Sequence, residues 1–163
     1  MGIFSAAALL FTKDGSRGHL QDDESESPSE VHKKGTVLAI DDDPSFLEAV
    51  RGLLSAEGFN VLTSSSGPKG LDMLRYASRD IRAVLLDYSM PNFDGAATLE
   101  FVRKLNPTVK VFAVTGVAKH LLPTTYREGV DRILTKPFRN SELVECLNTV
   151  SAGNAQTSSP AAA

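Results

Sequence analysis

The chain has almost no cysteine. Among its 163 residues, Cys146 is the single one. An internal disulfide is therefore excluded, and a lone cysteine at a helical position is expected to be a small core residue. Because this composition is typical of a reducing compartment, we predict a cytoplasmic location.

A basic block and a long hydrophobic run are also absent. The formal net charge is -3, and no basic stripe indicates a nucleic-acid-binding face. The apolar stretch within the first 11 residues is too short to cross a bilayer, and its nearest basic residue, Lys13, follows it. His19, His32 and His120 lack metal-ligand spacing. We therefore predict neither nucleic-acid nor membrane binding.

Both ends of the chain lack the apolar residues that a packed core requires. Residues 22–30 contain no aliphatic or aromatic side chain, and residues 151–163 are mostly small or polar. Such segments cannot bury enough surface to offset the entropy of ordering. We predict a disordered extension at residues 1–34, one compact domain at residues 35–150 and a disordered tail at residues 151–163.

The compact region alternates strand and helix patterns. Apolar runs predict strands at residues 36–40, 60–64, 83–86, 109–114 and 130–134. Helical spacing between them predicts helices. The first begins after the Asp43 cap with Pro44 and stops at Gly58, and the last is capped by Asn140 or Ser141. This alternation predicts an α/β fold with a doubly wound parallel sheet.

Polar side chains follow four of the predicted strands. Asp41 and Asp42 follow the first strand, Asp87 the third, Thr115 the fourth and Lys136 the fifth. In doubly wound sheets the site lies at the carboxyl ends of the strands. We therefore expect these side chains to lie together.

Three carboxylates at one sheet edge predict a magnesium site. Without a cation, their repulsion would push at least one of them towards protonation. Because Mg²⁺ prefers oxygen ligands, we predict Asp42 and Asp87 as direct ligands and Asp41 as a ligand directly or through water. The backbone carbonyl of Ser89 could complete the set. Asp43 is interpreted as a helix cap without a chemical role.

Asp87 is the predicted nucleophile. A carboxylate can attack a phosphoryl group to form an aspartyl phosphate. Lys136 would supply a second positive charge, and Thr115 would supply a hydroxyl donor to the phosphoryl oxygens. We also predict that the Lys136–Pro137 peptide bond is cis.

These motifs together resemble the receiver domain of two-component response regulators. The matching segments are VLAIDDDP at 37–44, LDYSMPNFDG at 86–95, VTG at 114–116 and LTKPF at 134–138. The resemblance implies a flavodoxin-like five-stranded sheet in the order 2-1-3-4-5. It implies Mg²⁺ as cofactor, Asp87 as phospho-acceptor, Asp41 and Asp42 as acidic metal residues, and Thr115 and Lys136 as phosphoryl sensors.

The resemblance also implies a histidine kinase or phosphotransfer protein as the phosphoryl donor. It implies a signalling domain that catalyses only its own phosphorylation and dephosphorylation, and not an enzyme. Because little sequence follows the last predicted helix, we interpret the chain as a stand-alone receiver that binds an unknown downstream protein. We expect a monomer or a phosphorylation-dependent dimer.

Several positions depart from the family pattern. Ile133 stands where receivers usually carry the Tyr or Phe of a switch coupled to Thr115, so the standard coupling is not expected. Pro123 would interrupt the fourth helix unless the helix begins beside it. Ser89 and Val117 occupy positions that influence how water reaches the phosphoryl group, and neither is an acid or a carboxamide. We therefore predict slow autodephosphorylation.

Two other functions fit parts of the pattern. A phosphorylation-independent interaction scaffold would explain Ile133 and Pro123. A haloacid-dehalogenase-like phosphohydrolase would use the D-x-D arrangement at residues 41–43. That enzyme, however, needs an acidic pair after Lys136, and it leaves Asp87 without a role.

Overall fold

The computed structural model describes residues 34–77, 80–91 and 94–151. The predicted extension and tail lie outside these residues, except for Lys34 and Ser151. Two of the three histidines, His19 and His32, lie outside as well. In the described part of the chain, no helix is both long and apolar enough to cross a membrane.

Strands and helices alternate along the described chain. The strands are β1 Thr36–Ile40, β2 Asn60–Ser64, β3 Ile81–Leu86, β4 Lys110–Thr115 and β5 Arg132–Thr135. The helices are α1 Pro44–Ala56, α2 Gly67–Tyr76, α3 Gly95–Leu105, α4 Thr124–Gly129 and α5 Asn140–Ser151, with a 3₁₀ turn at Lys119–Leu121.

The strands form one parallel sheet in the order β2-β1-β3-β4-β5. The predicted α/β class and strand order are therefore confirmed. Val37 and Ala39 pack with α1 and α5, whereas Leu38 and Ile40 pack with α2, α3 and α4 on the opposite face. Because helices cover both faces of the sheet, β1 is apolar at consecutive positions from residue 37 to residue 40. Cys146 is a buried core residue of α5, as predicted.

Helix α1 begins as predicted. Asp43 Oδ1 accepts hydrogen bonds from the amides of Ser45 at 2.9 Å and Phe46 at 3.3 Å, and Pro44 is the first helical residue. The chain leaves the helix through Gly58, whose φ of 86° lies in the left-handed region that glycine adopts at least cost.

The predicted fifth strand begins two residues too early. Val130 is the C-cap of α4, and the chain turns at Asp131 before β5 starts. The Asp131 carboxylate accepts hydrogen bonds from Lys110 Nζ at 2.7 Å, Val111 N at 2.9 Å and Arg103 Nη2 at 3.0 Å. Asp131 N also donates to Val111 O at 2.8 Å, so backbone and side-chain bonds together fix the turn that precedes β5.

Other boundaries differ by one or two residues. Strand β3 starts at Ile81 because this buried side chain extends the core and pairs with Thr36. Strand β4 ends at Thr115 rather than at residue 114.

The predicted cap of helix α5 is wrong, whereas helix α4 begins beside Pro123 and is therefore not interrupted by it. Helix α5 begins at Asn140, so neither Asn140 nor Ser141 is its cap, and Glu142 N donates to Arg139 O at 2.9 Å. Helix α4 starts directly after Pro123, at a place where proline removes no helical hydrogen bond.

Candidate acidic phosphoryl site

The carboxyl ends of β1, β3, β4 and β5 bring the predicted residues to one edge of the sheet. Asp41 follows β1 and Asp87 follows β3. Asp87 N donates to Ile40 O at 2.9 Å, and Lys136 N donates to Thr115 O at 2.8 Å. Backbone pairing therefore gathers residues that are far apart in the chain.

Three acidic residues form a cluster at this edge. Asp41, Asp42 and Asp87 each present a carboxylate oxygen, and these oxygens lie within 4.8 Å of one another. Asp41 is 2% exposed and Asp87 is 5% exposed, whereas Asp42 is open to solvent. The cluster therefore has a buried floor and one side that faces water.

Two buried carboxylates this close repel each other when both are charged. Burial, followed by the charge of Asp41, raises the pKa of Asp87, and the charge of Lys136 opposes this rise. A divalent cation would remove the repulsion. An all-oxygen set with a side open to water fits Mg²⁺, which keeps several water ligands.

Backbone amides orient the two buried carboxylates. Asp41 Oδ1 accepts from Asp43 N at 2.9 Å, and Asp87 Oδ2 accepts from Ser89 N at 3.0 Å. Each bond spans two residues, so the loop that follows each strand holds its own aspartate. The predicted role of the Ser89 carbonyl as a metal ligand stays a prediction.

Lys136 is held against Asp41. Its Nζ donates to Asp41 Oδ2 at 2.5 Å and lies 4.0 Å from the centre of the Phe46 ring. Phe46 packs edge-on against Phe138, with 6.3 Å between ring centres. The Lys136–Pro137 bond is cis, as predicted. In this arrangement the lysine neutralises Asp41, and its contact with a phosphoryl group stays a prediction.

Thr115 lies fully buried at the same edge. Its Oγ1 accepts a hydrogen bond from Val117 N at 3.2 Å. A hydroxyl that accepts one bond still has its own proton to donate. Thr115 can therefore still donate a hydrogen bond to a phosphoryl oxygen, and this role stays a prediction.

Two aromatic contacts of the site were not found from the sequence. Helical periodicity places Phe46 on the core face of α1, where its half-buried ring does pack, but it gives no sign that the same ring lies against Lys136. Tyr126 of α4 packs edge-on against Tyr88, with 4.8 Å between ring centres and 64° between ring planes. No local pattern links Tyr126 to Tyr88, because only tertiary packing brings them together.

Ile133 lies partly buried in the core shared by α2, α3 and α4. Val117, Tyr88 and Tyr126 belong to the same core. An aromatic ring is thus present on this side of the sheet although residue 133 supplies none.

Comparison with known families gives a match over most of the described chain. A sequence model of the response regulator receiver domain matches residues 37–148. This range contains every predicted site residue, namely Asp41, Asp42, Asp87, Ser89, Thr115 and Lys136.

Among curated proteins, the cell cycle transcriptional regulator CtrA of Caulobacter vibrioides is 30% identical over 125 residues. The matched region is 74% of this chain and 53% of CtrA. The chain therefore spans about half the length of this relative.

Solved structures of similar fold include receiver domains. One from Clostridium thermocellum is 28% identical with a TM-score of 0.67, and the match covers 72% of this chain and 94% of that one. The response regulator TrrA of Thermotoga maritima, in complex with Mg²⁺ and BeF, is 25% identical with a TM-score of 0.63. That match covers 71% of this chain and 98% of TrrA.

Proposed function

We propose, from the premise that this chain belongs to the response regulator receiver family, that Asp87 accepts a phosphoryl group in a Mg²⁺-dependent reaction. Receiver domains are signalling domains of two-component systems and not classical enzymes. One observation carries the proposal. Asp41, Asp42 and Asp87 place carboxylate oxygens within 4.8 Å of one another, beside the lysine on Asp41.

The residues that would hold Mg²⁺ are Asp41, Asp42, Asp87 and the backbone carbonyl of Ser89. When bound, the ion supplies positive charge to the oxygens of the transferring phosphoryl group. The Mg²⁺ and BeF in the TrrA complex support this proposal by similarity.

The phosphoryl donor is a phosphohistidine of a histidine kinase or phosphotransfer protein. An Asp87 carboxylate oxygen attacks the phosphorus, forming a P–O bond while the P–N bond of the donor breaks. The imidazole leaves with the bonding electron pair and takes up a proton from solvent. Thr115 donates a hydrogen bond from its hydroxyl group to a phosphoryl oxygen, and Lys136 supplies a fixed positive charge.

The phosphorylated domain signals by binding a downstream protein. Helix α4 and strand β5 are the surface expected to change, because Tyr126 and Ile133 pack into the core next to Tyr88. The oligomeric state proposed is a monomer or a phosphorylation-dependent dimer.

Intact-mass spectrometry after incubation with Mg²⁺ and a small acyl-phosphate donor tests the proposal. We expect one added phosphoryl group on wild type and none on Asp87→Ala. Asp72→Ala removes an exposed aspartate and is the matched control, which we expect to be phosphorylated normally. An adduct that persists on Asp87→Ala would contradict Asp87 as acceptor.

Persistence of the adduct is a separate outcome. Ser89 is exposed and Val117 is half-buried near Thr115. Neither residue is an acid or a carboxamide that would orient the attacking water, so we expect slow autodephosphorylation. Ser89→Asn combined with Val117→Glu should shorten the lifetime of the adduct severalfold, as followed by intact mass. An unchanged lifetime would count against this role.

A phosphorylation-independent scaffold is the second candidate, because Ile133 carries no switch ring. Partner binding that is equal for wild type and Asp87→Ala, with and without the phosphoryl donor, would favour it. Binding that requires the adduct would exclude it.

A further inference from the structure

Helix α4 contains two buried side-chain polar atoms that have no hydrogen-bond partner, and no other such side-chain atoms are found among the described residues. They are the hydroxyl oxygen of Tyr126 and Nε of Arg127. Tyr126 is only 2% exposed, so its hydroxyl is shielded from bulk solvent. Burying an unpaired donor costs free energy, and folded proteins rarely leave one. The missing hydrogen bonds of these two side chains therefore need a physical explanation.

The Tyr126 ring rests on the loop that follows Asp87. Its centre lies 4.8 Å from that of Tyr88, in the edge-on arrangement that aromatic pairs favour. Tyr88 O accepts from Gly95 N at 2.9 Å. A Cβ at Gly95 would lie 2.6 Å from Tyr88 Cα, so this loop is packed tightly against the start of α3. Tyr126 thus contacts a loop with little freedom to shift alone.

The Tyr126 hydroxyl lies within the electrostatic reach of the acceptor. Burial raises the pKa of Tyr126 above its ordinary value, and the charges of Asp87, Tyr88 and Asp94 raise it further. The hydroxyl therefore keeps its proton. It is a hydrogen-bond donor in a negative environment, and no acceptor is paired with it.

Helix α4 is held in place at few points. It has six residues, and no side chain caps its start. Arg103 binds its last carbonyl, that of Gly129, through Nε at 3.0 Å and Nη2 at 2.8 Å. The Tyr126 ring is the core contact of this helix. Elements held by few contacts have low local stability.

We infer that Tyr126 is a positioning residue that couples α4 to the loop at residues 87–91, through its ring contact with Tyr88 and its unpaired hydroxyl. This inference rests on the proposed role of Asp87. A phosphoryl group adds strong acceptor oxygens on Asp87. Phosphorylation therefore favours an arrangement in which the Tyr126 hydroxyl is paired, and α4 moves with the ring.

Ring-labelled tyrosine makes this observable by NMR. The chain has three tyrosines, and Tyr76, at 88% exposure, is an internal reference. In protein whose intact mass shows the adduct, we expect the ring signals of Tyr88 and Tyr126 to shift and that of Tyr76 to stay. A Tyr126 signal that does not move in phosphorylated protein would overturn the inference.

The hydroxyl is tested separately by Tyr126→Phe, which keeps the ring. We expect this variant to form the adduct at a rate within about twofold of wild type and to lose at least about half of the phosphorylation-dependent shifts of the α4 amides. The control Tyr76→Phe should behave as wild type. Full α4 shifts in Tyr126→Phe would show that the hydroxyl is not needed.

The ring is tested without any phosphoryl donor. Tyr126→Leu should shift the Tyr88 ring signal and weaken Mg²⁺ binding by about fivefold, whereas Tyr76→Leu should do neither. An unchanged Tyr88 signal and Mg²⁺ affinity would overturn the positioning role even if Asp87 never accepted a phosphoryl group. Absence of the adduct from wild type would instead count against the proposed function. If Tyr126→Leu does not fold, the α4 amide shifts of Tyr126→Phe and the ring signals of phosphorylated wild type still test whether Tyr126 couples α4 to the loop.

Discussion

Helix α1 places an aromatic ring against Lys136 of the candidate site, and helix α4 places one against Tyr88, the neighbour of Asp87, but the polar groups of the two helices are paired to different degrees. Helix α1 has 13 residues, and its Asp43 cap accepts two amides. Its Phe46 ring lies against Lys136, whose charge is bound to Asp41. Helix α4 has six residues and no side-chain cap. Its Tyr126 hydroxyl has no partner.

The difference separates a part of the site that keeps its shape from a part that can change. On the α1 side, Asp43 is bonded to two amides and Lys136 to Asp41, so rearrangement would break strong bonds. On the α4 side an unpaired donor makes the observed arrangement less favourable than one in which it is paired. Local stability is uneven in proteins, and elements that switch come from the less stable end.

Removal of the lysine charge should have the largest effect. Lys136→Met takes the cation from Asp41 and leaves two buried carboxylates side by side. We expect the rate of Asp87 phosphorylation to fall by about 100-fold, a typical loss for one electrostatic group at a phosphoryl or oxyanion site. Intact-mass time courses measure the rate, with Lys104→Met as the exposed control. A rate near wild type would show that Lys136 does not supply the charge.

Gly95→Ala should disturb the loop at residues 87–91, which follows β3. The added Cβ would lie 2.3 Å from Asp87 O and 2.6 Å from Tyr88 Cα, and backbone atoms cannot move aside as a flexible side chain can. We expect a loss of about 2 kcal/mol in the free energy of unfolding. Urea unfolding measures it, and Gly52→Ala, where a Cβ meets nothing within 4 Å, is the control. Equal stability of the two variants would contradict the tight packing.

Loss of the α1 cap should have a moderate effect that is confined to α1 and does not reach α4. Asp43→Ala removes the acceptor of two amides at the start of α1. We expect the free energy of unfolding to fall by about 1 kcal/mol. Glu48→Ala on the exposed face of the same helix is the control. Hydrogen exchange should show that α1 opens more readily in Asp43→Ala while α4 exchange is unchanged. Faster exchange in α4 as well would show that the two sides are one cooperative unit.

The smallest expected effect comes from the charge of Asp87 itself. Because its pKa is raised in the folded protein, the folded state binds this proton more tightly than the unfolded chain. The stability that the protonated group contributes is therefore full below the ordinary pKa of 3.8 and is lost as the pH rises through the higher folded-state value.

Asp87→Asn removes that pH dependence. We expect it to be more stable than wild type at pH 7 by less than about 1 kcal/mol, with no difference below the ordinary pKa. Urea unfolding across this pH range is the measurement. Saturating Mg²⁺ should narrow the difference at pH 7 by stabilising wild type. If Asp87→Asn were less stable than wild type at pH 7 without Mg²⁺, the favourable effect of Lys136 on the charged Asp87 carboxylate would be larger than the unfavourable effects of burial and of Asp41.

Much of the fold follows from local patterns. The apolar run of β1 and the Asp43–Pro44 pair each define an element by their own sequence, so their positions were predicted correctly. The start of β5 was not, because Asp131 turns the chain through side-chain bonds to Lys110 and Arg103 on other elements. Such bonds depend on the assembled sheet and carry no local signal.

Local sequence patterns are enough to predict which residues meet at the edge of the sheet. Asp41, Asp87, Thr115 and Lys136 each follow an apolar run, and parallel strands align their carboxyl ends. How these residues are paired with one another, in contrast, depends on tertiary packing. Lys136 binds Asp41, 95 positions away, and Tyr126 packs on Tyr88. An apolar run and the polar residue that follows it are neighbours in the sequence, so the end of a strand can be predicted locally. Side-chain partners depend on distances that exist only after the helices have packed on the sheet.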